Sequence, residues 1–387
     1  MPDEYEVIVA GAGPAGSLTA AMLARRGHGV LLLDKEKFPR DKICGDALPS
    51  GIFDLLAEAG MKEKVEETIS KGEFYPLSSM RLVSPGGHQR VYPLRKSKLG
   101  FNPCIAPRLY FDDLMRCYAV ECGAEFRQLK VEEPLLEDGR VVGVRLQNND
   151  VCTNIRAKII VGADGVNSVI ARHLRSDAGH TDTHRAIALR AYIEEIETNP
   201  HEVEFYFNRN ILPGYAWIFS LGENRANVGL GMRLDYYRKA KLSLKAMLDR
   251  FLSMPEIRKR LKPGWKLRGA AAWPLNFGSQ NNLNYAFDGA LLVGDAAGLV
   301  SPITGGGIHR SLISARLAAE TIERALLEGE PFLAKLQRYE QLCDDLILSG
   351  LRRIYLLQKA LFRFPGLVDF FVKYFSENSS LARAVTK

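Results

Sequence analysis

A glycine-rich stretch near the N-terminus constrains the fold more than any other part of the sequence. The residues GAGPAG place Gly11, Gly13 and Gly16 directly after an apolar run, Tyr5 to Ala10, that is typical of a buried strand. A helical pattern follows, and then a second apolar run that ends at Asp34. Because glycines at this spacing let the backbone approach a pyrophosphate at a helix N-terminus, the pattern predicts a Rossmann-type dinucleotide-binding unit.

The acidic residue Asp34 at the end of the second strand narrows the choice of nucleotide. A carboxylate there accepts hydrogen bonds from an adenosine ribose but is poorly suited to a 2′-phosphate, so NADP is disfavoured in this site. The N-terminal unit alone leaves NAD and FAD open. Two distant segments bear on that choice, and each reads as a strand that ends in a glycine turn and enters a helix. These segments are Ala157 to Arg172, which contains Asp164 and Gly165, and Gly289 to Ile308, which contains Asp295, Pro302 and the glycine run Gly305 to Gly307.

In this order along the chain, the three segments resemble the flavoprotein family typified by aromatic hydroxylases and geranylgeranyl reductases. The resemblance implies FAD as the cofactor, with Asp295 on its ribityl chain and the amides of Gly305 to Ile308 facing the N1–C2=O edge of the flavin. Arg108 resembles the FAD-contacting arginine of that family, and Val131 is expected to meet the adenine through its backbone. Amide donors at the N1 edge would stabilise the negative charge that reduction leaves there.

The stretch KFPRDKICGDALPSG, from Lys37 to Gly51, indicates the branch of the family. Its Arg-x-x-x-Cys-Gly pattern, formed by Arg40, Cys44 and Gly45, resembles geranylgeranyl reductases, in which the Cys-Gly segment lies against the flavin ring. Cys44 has two interpretations. It is either a small residue whose backbone touches the flavin, or a thiol near N5 that positions or protonates an alkene.

The stretch LPGYAWIFS places Tyr215, Trp217 and Phe219 at every second position. In an extended strand these three rings share one face. A hydrophobic core beneath a sheet is the ordinary reason for such a pattern. Geranylgeranyl reductases carry a Tyr-x-Trp-x-Phe-Pro motif that lines a lipid pocket. This chain has Ser220 in place of the proline, and the resemblance implies that its three rings form an apolar wall above the flavin.

These patterns together define a predicted site. Its catalytic residues are Cys44, Tyr215 and Trp217, its substrate-binding residues are Tyr215, Trp217 and Phe219, and no metal ligand is predicted. The predicted cofactor-binding residues are Gly11, Gly13, Ala15, Gly16, Asp34, Cys44, Gly45, Ala47, Arg108, Val131, Asp164, Gly165, Asp295, Pro302, Gly305, Gly306, Gly307 and Ile308.

The resemblance implies an FAD-dependent reductase that saturates C=C bonds of an isoprenoid or similar lipid-like substrate. An FAD-dependent monooxygenase, hydroxylase or halogenase-like, is the alternative, because both use a reduced flavin beneath aromatic residues. The Trp-x-Trp-x-Ile-Pro of halogenases is not matched, since Tyr215 occupies the first aromatic position. A flavin electron carrier without an organic substrate is a third hypothesis.

The sequence predicts an α/β architecture: a Rossmann-type FAD-binding domain, a substrate domain with a mixed or antiparallel β-sheet, and a C-terminal helical region. The FAD-binding domain is discontinuous, over residues 1–72, 103–175 and 284–330. The strand-rich segments 73–102 and 176–283 form the substrate domain, and residues 331–387 form the helical region.

The C-terminal region is amphipathic, with apolar residues at helical spacing and Pro365 interrupting the pattern. Two interpretations stay open: helices that pack on the pocket, or a basic, apolar surface that makes peripheral contact with an anionic membrane. The formal net charge of +7 fits an anionic ligand or surface. The basic residues lack interleaved stacking aromatics, so nucleic-acid binding is not expected.

Three further expectations follow. The acidic N-terminus has no secretory signal pattern, and the six cysteines show no CxxC pair or zinc spacing, which favours a cytoplasmic protein. Peripheral membrane association is expected only if the C-terminal region is the membrane-contacting surface. The chain has one nucleotide fingerprint. The reductant, NAD(P)H or a ferredoxin-like donor, is therefore expected to visit only transiently.

Overall fold

A computed structural model describes residues 4–148, 151–175, 179–329 and 333–374 of the 387-residue chain. The strands are β1 (Glu4–Ala10), β2 (Val30–Asp34), β3 (Ala47–Leu48), β4 (Tyr75–Pro76), β5 (Ser79–Val83), β6 (Gln89–Pro93), β7 (Cys104–Ile105), β8 (Glu125–Gln128), β9 (Lys130–Glu137), β10 (Arg140–Asn148), β11 (Val151–Gly162), β12 (Arg185–Ile196), β13 (Glu202–Tyr206), β14 (Gly214–Ser220), β15 (Arg225–Arg233), β16 (Leu261–Asn276), β17 (Ala286–Phe287) and β18 (Ala290–Leu292).

The helices surround these strands. They are α1 (Pro14–Ala24), α2 (Gly51–Glu58), α3 (Lys62–Ser70), α4 (Arg108–Glu121), α5 (Val169–Leu174), α6 (Leu234–Tyr237), α7 (Leu244–Leu252), α8 (Pro255–Arg258), α9 (Gly294–Ala297), α10 (Ile308–Leu327), α11 (Leu333–Cys343), α12 (Ser349–Arg363) and α13 (Pro365–Tyr374). A 3₁₀ turn covers Asp182–His184, and a π-helical turn over Asp344–Leu348 joins α11 to α12.

The first sheet follows the order β17-β18-β11-β1-β2-β8. Its central strands are parallel, and β9 and β10 extend from β11 as an antiparallel excursion. Helices α4 and α10 both pack on α1. Because helices cover this parallel core, Val7 to Ala10 of β1 are completely buried, as the unbroken apolar run predicts.

The second sheet follows the order β16-β12-β15-β14-β13-β5-β6. All of its pairs are antiparallel except β13 with β5. One face packs on α7 and holds a core that includes Ala216 and Ile218. The opposite face carries a separate aromatic cluster. The two faces of this sheet therefore belong to separate apolar clusters.

The C-terminal helices connect both sheets. Tyr355 of α12 donates a hydrogen bond to the carbonyl of Thr183 at 3.1 Å. Asp369 of α13 accepts hydrogen bonds from the Ser84 hydroxyl and the Gly86 amide, both at 2.6 Å, in the turn between β5 and β6. Among the described residues, no helix has the length and apolar character needed to cross a membrane.

The predicted fold class is confirmed: a Rossmann-type α/β unit, a mixed sheet that is mostly antiparallel, and C-terminal helices. On this topology we propose the domain division that the sequence predicts. Part of the C-terminal region, residues 331–332 and 375–387, lies outside the described residues.

Candidate flavin and substrate site

The glycine loop between β1 and α1 is tight on one side and open on the other. A Cβ on Gly11 would overlap the Ala163 carbonyl, and a Cβ on Gly16 would overlap the carbonyl of Gly11. A Cβ on Gly13 would meet only the guanidinium of Arg40, at 3.9 Å. The first two glycines are therefore required by packing, whereas Gly13 leaves room for a ligand beside the N-terminus of α1.

Asp34 is held in place at the end of β2. Its carboxylate accepts hydrogen bonds from the Ala12 amide at 2.8 Å and from the Glu36 amide at 2.9 Å. Two bonds leave lone pairs free, since a carboxylate offers about four acceptor positions. A ribose hydroxyl beside the glycine loop can use them.

The two distant segments meet this loop at the carboxyl ends of neighbouring strands. Asp164 follows β11, and one of its oxygens accepts the Val169 amide at 2.7 Å at the start of α5, while the other is buried without a partner among the described residues. Asp295 follows β18, and its Oδ1 lies 3.0 Å from where a Cβ on Gly307 would stand. Ligands of open α/β sheets bind at this edge.

The glycine run before α10 is fixed by contacts from the second sheet and from α12. Gly305 has a φ of +63°, a conformation that side chains disfavour. The Tyr215 hydroxyl donates a 2.5 Å hydrogen bond to the Thr304 carbonyl, and Gln358 donates to the Pro302 carbonyl. Within this loop the Gly305 amide donates to the Ser301 carbonyl at 3.0 Å, and the Gly306 amide donates to the Thr304 hydroxyl at 3.2 Å. The amides of Gly307 and Ile308 stand at the start of α10, where helix amides have no partner within the helix.

Arg108 stands at the start of α4, as the resemblance implies. Its guanidinium binds both oxygens of the buried Asp112, at 2.5 and 2.7 Å, and Arg40 binds the same carboxylate at 2.7 Å. One carboxylate thus forms ion pairs with two arginines. The pair leaves excess positive charge beside the glycine loop, which favours an anionic ligand such as a pyrophosphate.

The Cys-Gly segment lies against the aromatic strand. A Cβ on Gly45 would stand 3.1 Å from the Phe219 ring and 3.8 Å from the Trp217 ring. The sulfur of Cys44 accepts a hydrogen bond from the Asp46 amide at 3.3 Å. Burial raises the pKa of the Cys44 thiol, although the nearby Arg108 guanidinium opposes this effect. The thiol is therefore neutral at physiological pH.

The aromatic residues of β14 share one face. The ring centroids of Tyr215 and Trp217 are 6.0 Å apart, and those of Trp217 and Phe219 are 5.9 Å apart. Phe205 of β13 is the register partner of Trp217 of β14. The centroid of the Phe205 ring lies 5.2 Å from that of Tyr215 and 5.1 Å from that of Phe219. Phe207 continues the series beside Tyr215 at 6.2 Å. We call these five rings the aromatic wall.

Two predicted cofactor-binding residues, Ala47 and Val131, lie in strands whose described contacts are those of sheet pairing. Ala47 belongs to the short strand β3 and pairs with Ile105. The strand that directly follows α4 is β8, and Val131 lies in the next strand, β9, where it pairs with Leu146 of β10. Their contacts with FAD stay predictions.

Lys42 is a site residue that the sequence did not predict. Its ammonium lies 3.5 Å from the centroid of the Trp273 ring. Burial lowers the pKa of Lys42 to about 8, and the carboxylate of Asp295 opposes this shift. Lys42 stands two residues before Cys44, but its loop has no periodicity that could have shown where the side chain points.

A second unpredicted group joins the Cys-Gly segment to the aromatic wall. The side chain of Asn227 accepts the ring N–H of Trp217 at 2.9 Å and donates to the Cys44 carbonyl and to Asp46, each at 2.8 Å. The Tyr192 hydroxyl also donates to Asp46, at 2.8 Å. These residues come from four separate segments, so no local pattern could have grouped them.

The residues present fit FAD. The open face at Gly13 suits a pyrophosphate, Asp34 has free acceptor positions for a ribose, and Asp295 lies beside the glycine run. The buried, unpartnered oxygen of Asp164 is a further polar group at the same edge. The fold and the site therefore define an FAD-binding oxidoreductase.

The comparisons with known proteins agree. A family model described as an FAD binding domain matches residues 4–347. Digeranylgeranylglycerophospholipid reductase 2 of Methanopyrus kandleri is 31% identical over 349 residues, which cover 88% of this chain and 83% of the relative. The digeranylgeranylglycerophospholipid reductase of Methanosarcina acetivorans is also 31% identical, over 351 residues that cover 88% of this chain and 81% of the relative.

Solved structures give the same result. A geranylgeranyl bacteriochlorophyll reductase-like protein from Thermoplasma acidophilum matches with a TM-score of 0.85 and 25% identity, and the match covers 99% of this chain and 95% of that one. A flavin-dependent brominase matches with a TM-score of 0.80 at 21% identity, covering 99% and 92% of the two chains, which is a likeness of fold alone. The chain belongs to the geranylgeranyl reductase family of FAD-dependent oxidoreductases.

Proposed function

We propose that this protein is an FAD-dependent reductase that saturates C=C bonds of an isoprenoid or similar lipid-like substrate. The observation that carries the proposal is the contact between the Cys-Gly segment and the aromatic wall, with Gly45 against Phe219 and Trp217. This contact supports a site in which an apolar surface lies beside the flavin. The names of the relatives, which describe reductases of a geranylgeranyl lipid, support the same substrate class.

The chain's own residues perform three tasks in this proposal. FAD, once reduced, supplies the hydride. The aromatic wall holds an extended apolar chain and excludes water, since polyprenyl groups offer only C–H surface to the rings. The neutral thiol of Cys44 can hold a proton beside the substrate. Lys42 and the amides of Gly307 and Ile308 would provide positive charge beside a reduced flavin.

The direct test is anaerobic turnover. Protein loaded with FAD and reduced with dithionite is mixed with digeranylgeranylglycerophospholipid without oxygen, and the lipid is analysed by mass spectrometry. We expect flavin reoxidation that depends on the lipid, and products that have gained two hydrogen atoms per reduced double bond. A strict oxygen requirement with an oxygenated or halogenated product would instead support the monooxygenase hypothesis, which the brominase-like fold also allows.

Absence of substrate-dependent reoxidation with every apolar alkene would favour the electron-carrier hypothesis. For the physiological reductant we propose NAD(P)H or a ferredoxin-like donor that binds transiently. Anaerobic reduction of the bound flavin by NADPH, NADH or reduced ferredoxin, followed by its absorbance, distinguishes these donors.

We also propose that the C-terminal helices rest on an anionic membrane and that the protein acts from the cytoplasmic side as a peripheral protein. Fourteen large apolar side chains are exposed among the described residues, and six lie between Leu346 and Tyr374. These six, which we call the apolar face, are Leu346, Leu356, Phe364, Leu367, Phe370 and Tyr374. Exposed basic residues alternate with them, namely Arg353, Lys359, Arg363 and Lys373.

The aromatic wall extends towards this face. The ring of Phe207 lies 6.2 Å from Tyr215 and 6.5 Å from Phe362 of α12. Apolar contacts thus connect the predicted flavin position with the C-terminal helices. A lipid tail that leaves a bilayer beside α12 would meet apolar side chains along this route.

A further inference from the structure

Asp46 is a fully buried carboxyl directly behind the Cys-Gly segment. Its Oδ2 accepts two hydrogen bonds of 2.8 Å, one from the Tyr192 hydroxyl and one from the Asn227 amide. Its Oδ1 is buried and has no partner among the described residues. One oxygen of this carboxyl accepts two hydrogen bonds and the other accepts none from the described residues. Such a carboxyl is suited to carry a proton on the second oxygen.

Asn227 links this carboxyl to both sides of the site. Its orientation is set by its partners, because Trp217 can only donate to it and the Cys44 carbonyl can only accept from it. Asn227 is completely buried, so these bonds do not exchange with water. The position of the Cys44 backbone and of the Trp217 ring is therefore coupled to Asp46.

The surroundings of Asp46 bring the pKa of its carboxyl close to neutral pH. Burial raises the pKa of Asp46 to about 7, while the hydrogen bonds from Tyr192 and Asn227 and the guanidiniums of Arg190 and Arg108 oppose the rise. Arg190 is itself paired with Asp41 at 2.6 Å, and Arg108 is paired with its own carboxylate on α4. Neither arginine is free to neutralise Asp46 alone.

We propose that Asp46 is a positioning residue that stores the proton for Cys44 during double-bond reduction. The inference rests on the proposed function, because saturation of an alkene requires a proton as well as a hydride. In this step the S–H bond of Cys44 breaks as a C–H bond forms on the substrate. The O–H bond of Asp46 then breaks as the S–H bond re-forms, and the carboxylate regains a proton from water after the product leaves.

The direction of this transfer follows from the two acids. Burial raises the pKa of Cys44 above its ordinary value of 9.0, whereas Asp46 titrates at about 7. A thiolate at Cys44 therefore takes a proton from the Asp46 carboxyl spontaneously. The Asp46 amide already donates to the Cys44 sulfur at 3.3 Å, which places the two residues in contact.

The decisive variant is Asp46→Asn. Asparagine accepts hydrogen bonds from Tyr192 and Asn227 through its side-chain oxygen, and it tolerates the φ of +63° at this position. We expect normal FAD content and at least a tenfold lower anaerobic reduction rate of digeranylgeranylglycerophospholipid. We also expect the wild-type rate to fall above pH 7, where Asp46 loses its proton, and the variant to lack this fall. Wild-type-like turnover with the same pH profile would overturn the proposal.

Tyr192→Phe provides a second, milder variant. It removes one donor to the Asp46 anion, so the inflection of the pH–rate profile should move to higher pH while the network keeps its other bonds. An inflection that stays in place would contradict the assignment to Asp46, even if Asp46→Asn failed to fold.

A readout independent of turnover is the alkylation of Cys44 by iodoacetamide, followed on its own peptide by mass spectrometry. The Asp46 anion disfavours the Cys44 thiolate. At pH 8, Cys44 in Asp46→Asn should therefore react at least threefold faster than in the wild-type protein. Equal alkylation rates in the two proteins would refute the coupling. Faster alkylation in the variant, together with no lipid reduction by the wild-type protein, would leave the coupling intact and refute the proposed function.

Discussion

At the residue scale, the buried carboxyl of Asp46 has a consequence for stability. The pKa of Asp46 is about 7 in the folded protein, against 3.8 in an unfolded chain. Between these values the folded state binds more protons, so the free energy of unfolding falls as the pH rises from about 4 to about 7. This behaviour is opposite to that of a carboxylate in an ion pair.

We predict that Asp46→Asn changes this pH dependence. The wild-type protein should lose up to roughly 3 kcal/mol of stability relative to the variant between pH 5 and pH 8, since each of the two pH units from 5 to the folded-state pKa of about 7 is worth about 1.4 kcal/mol. Chemical denaturation of both proteins at the two pH values measures the difference. Parallel stability curves would show that Asp46 is charged throughout this range.

Asp295 is the residue at which flavin binding is most directly tested. Charge-assisted hydrogen bonds are worth roughly 1.5–3 kcal/mol, so Asp295→Ala should reduce FAD affinity about tenfold or more. The absorbance of the purified protein and titration with FAD give the occupancy. Asp54→Ala is the control and should keep its flavin. Asp54 is a half-buried residue of α2 whose carboxylate accepts hydrogen bonds from the amides of Lys98 and Leu99.

At the element scale, β14 separates two kinds of packing within seven residues. Trp217 faces the Cys-Gly segment, whereas Ile218 is completely buried in the core on the other side of the sheet. The same strand therefore supports the proposed site on one face and the fold on the other. The alternation of the sequence indicated this division because strand periodicity is a local property.

Substitutions at these two neighbours should have different effects. Ile218→Ala should lower the free energy of unfolding by about 2–5 kcal/mol and leave turnover per folded, flavin-loaded molecule nearly unchanged. Trp217→Ala should lower turnover at least tenfold with FAD content near normal, because it removes ring surface and the bond to Asn227. Denaturation curves and anaerobic kinetics provide the two measurements. A stable Trp217→Ala protein with full activity would assign the ring to the core alone.

Other elements could not be predicted in this way. The longest strand among the described residues, β16, contains Pro263 and Gly264 near its start and lacks a regular apolar alternation, so no local pattern predicted it. Its 16 residues are held by pairing with β12 along most of their length, which is a tertiary effect. Likewise, the Tyr192 and Asn227 contacts with Asp46 depend on sheet register and not on any local motif.

At the scale of the whole molecule, the C-terminal helical region exposes the six side chains of the apolar face and four basic side chains. We predict that the protein sediments with vesicles of phosphatidylglycerol and phosphatidylcholine, and less with phosphatidylcholine alone, because basic residues near an anionic surface are each worth about 1 kcal/mol. Leu367→Ser combined with Phe370→Ser should reduce binding about tenfold or more.

The matched control is Leu327→Ser, which changes a 77% exposed leucine at the end of α10, outside the apolar face. This variant should bind vesicles like the wild-type protein. Deletion of residues 375–387 tests the remaining C-terminal segment separately. If this deletion abolished binding while the double serine variant retained it, the apolar face would not be the membrane-contacting surface.

The order of strands in the first sheet has a consequence for synthesis. The central strand β11 pairs with β1 on one side and with β18 on the other, and β18 lies about 130 residues further along the chain. At about 5–20 residues per second, a ribosome needs roughly 6 to 26 s to make the intervening segment. During that interval the end of β11 from Ile160 to Gly162 lacks its β18 partner, while β10 already pairs with the beginning of β11, and Asp295 has not yet been synthesised. A nascent chain that stops before β18 should therefore neither retain FAD nor escape chaperones, and the cofactor can be captured only after about three quarters of the protein has been made.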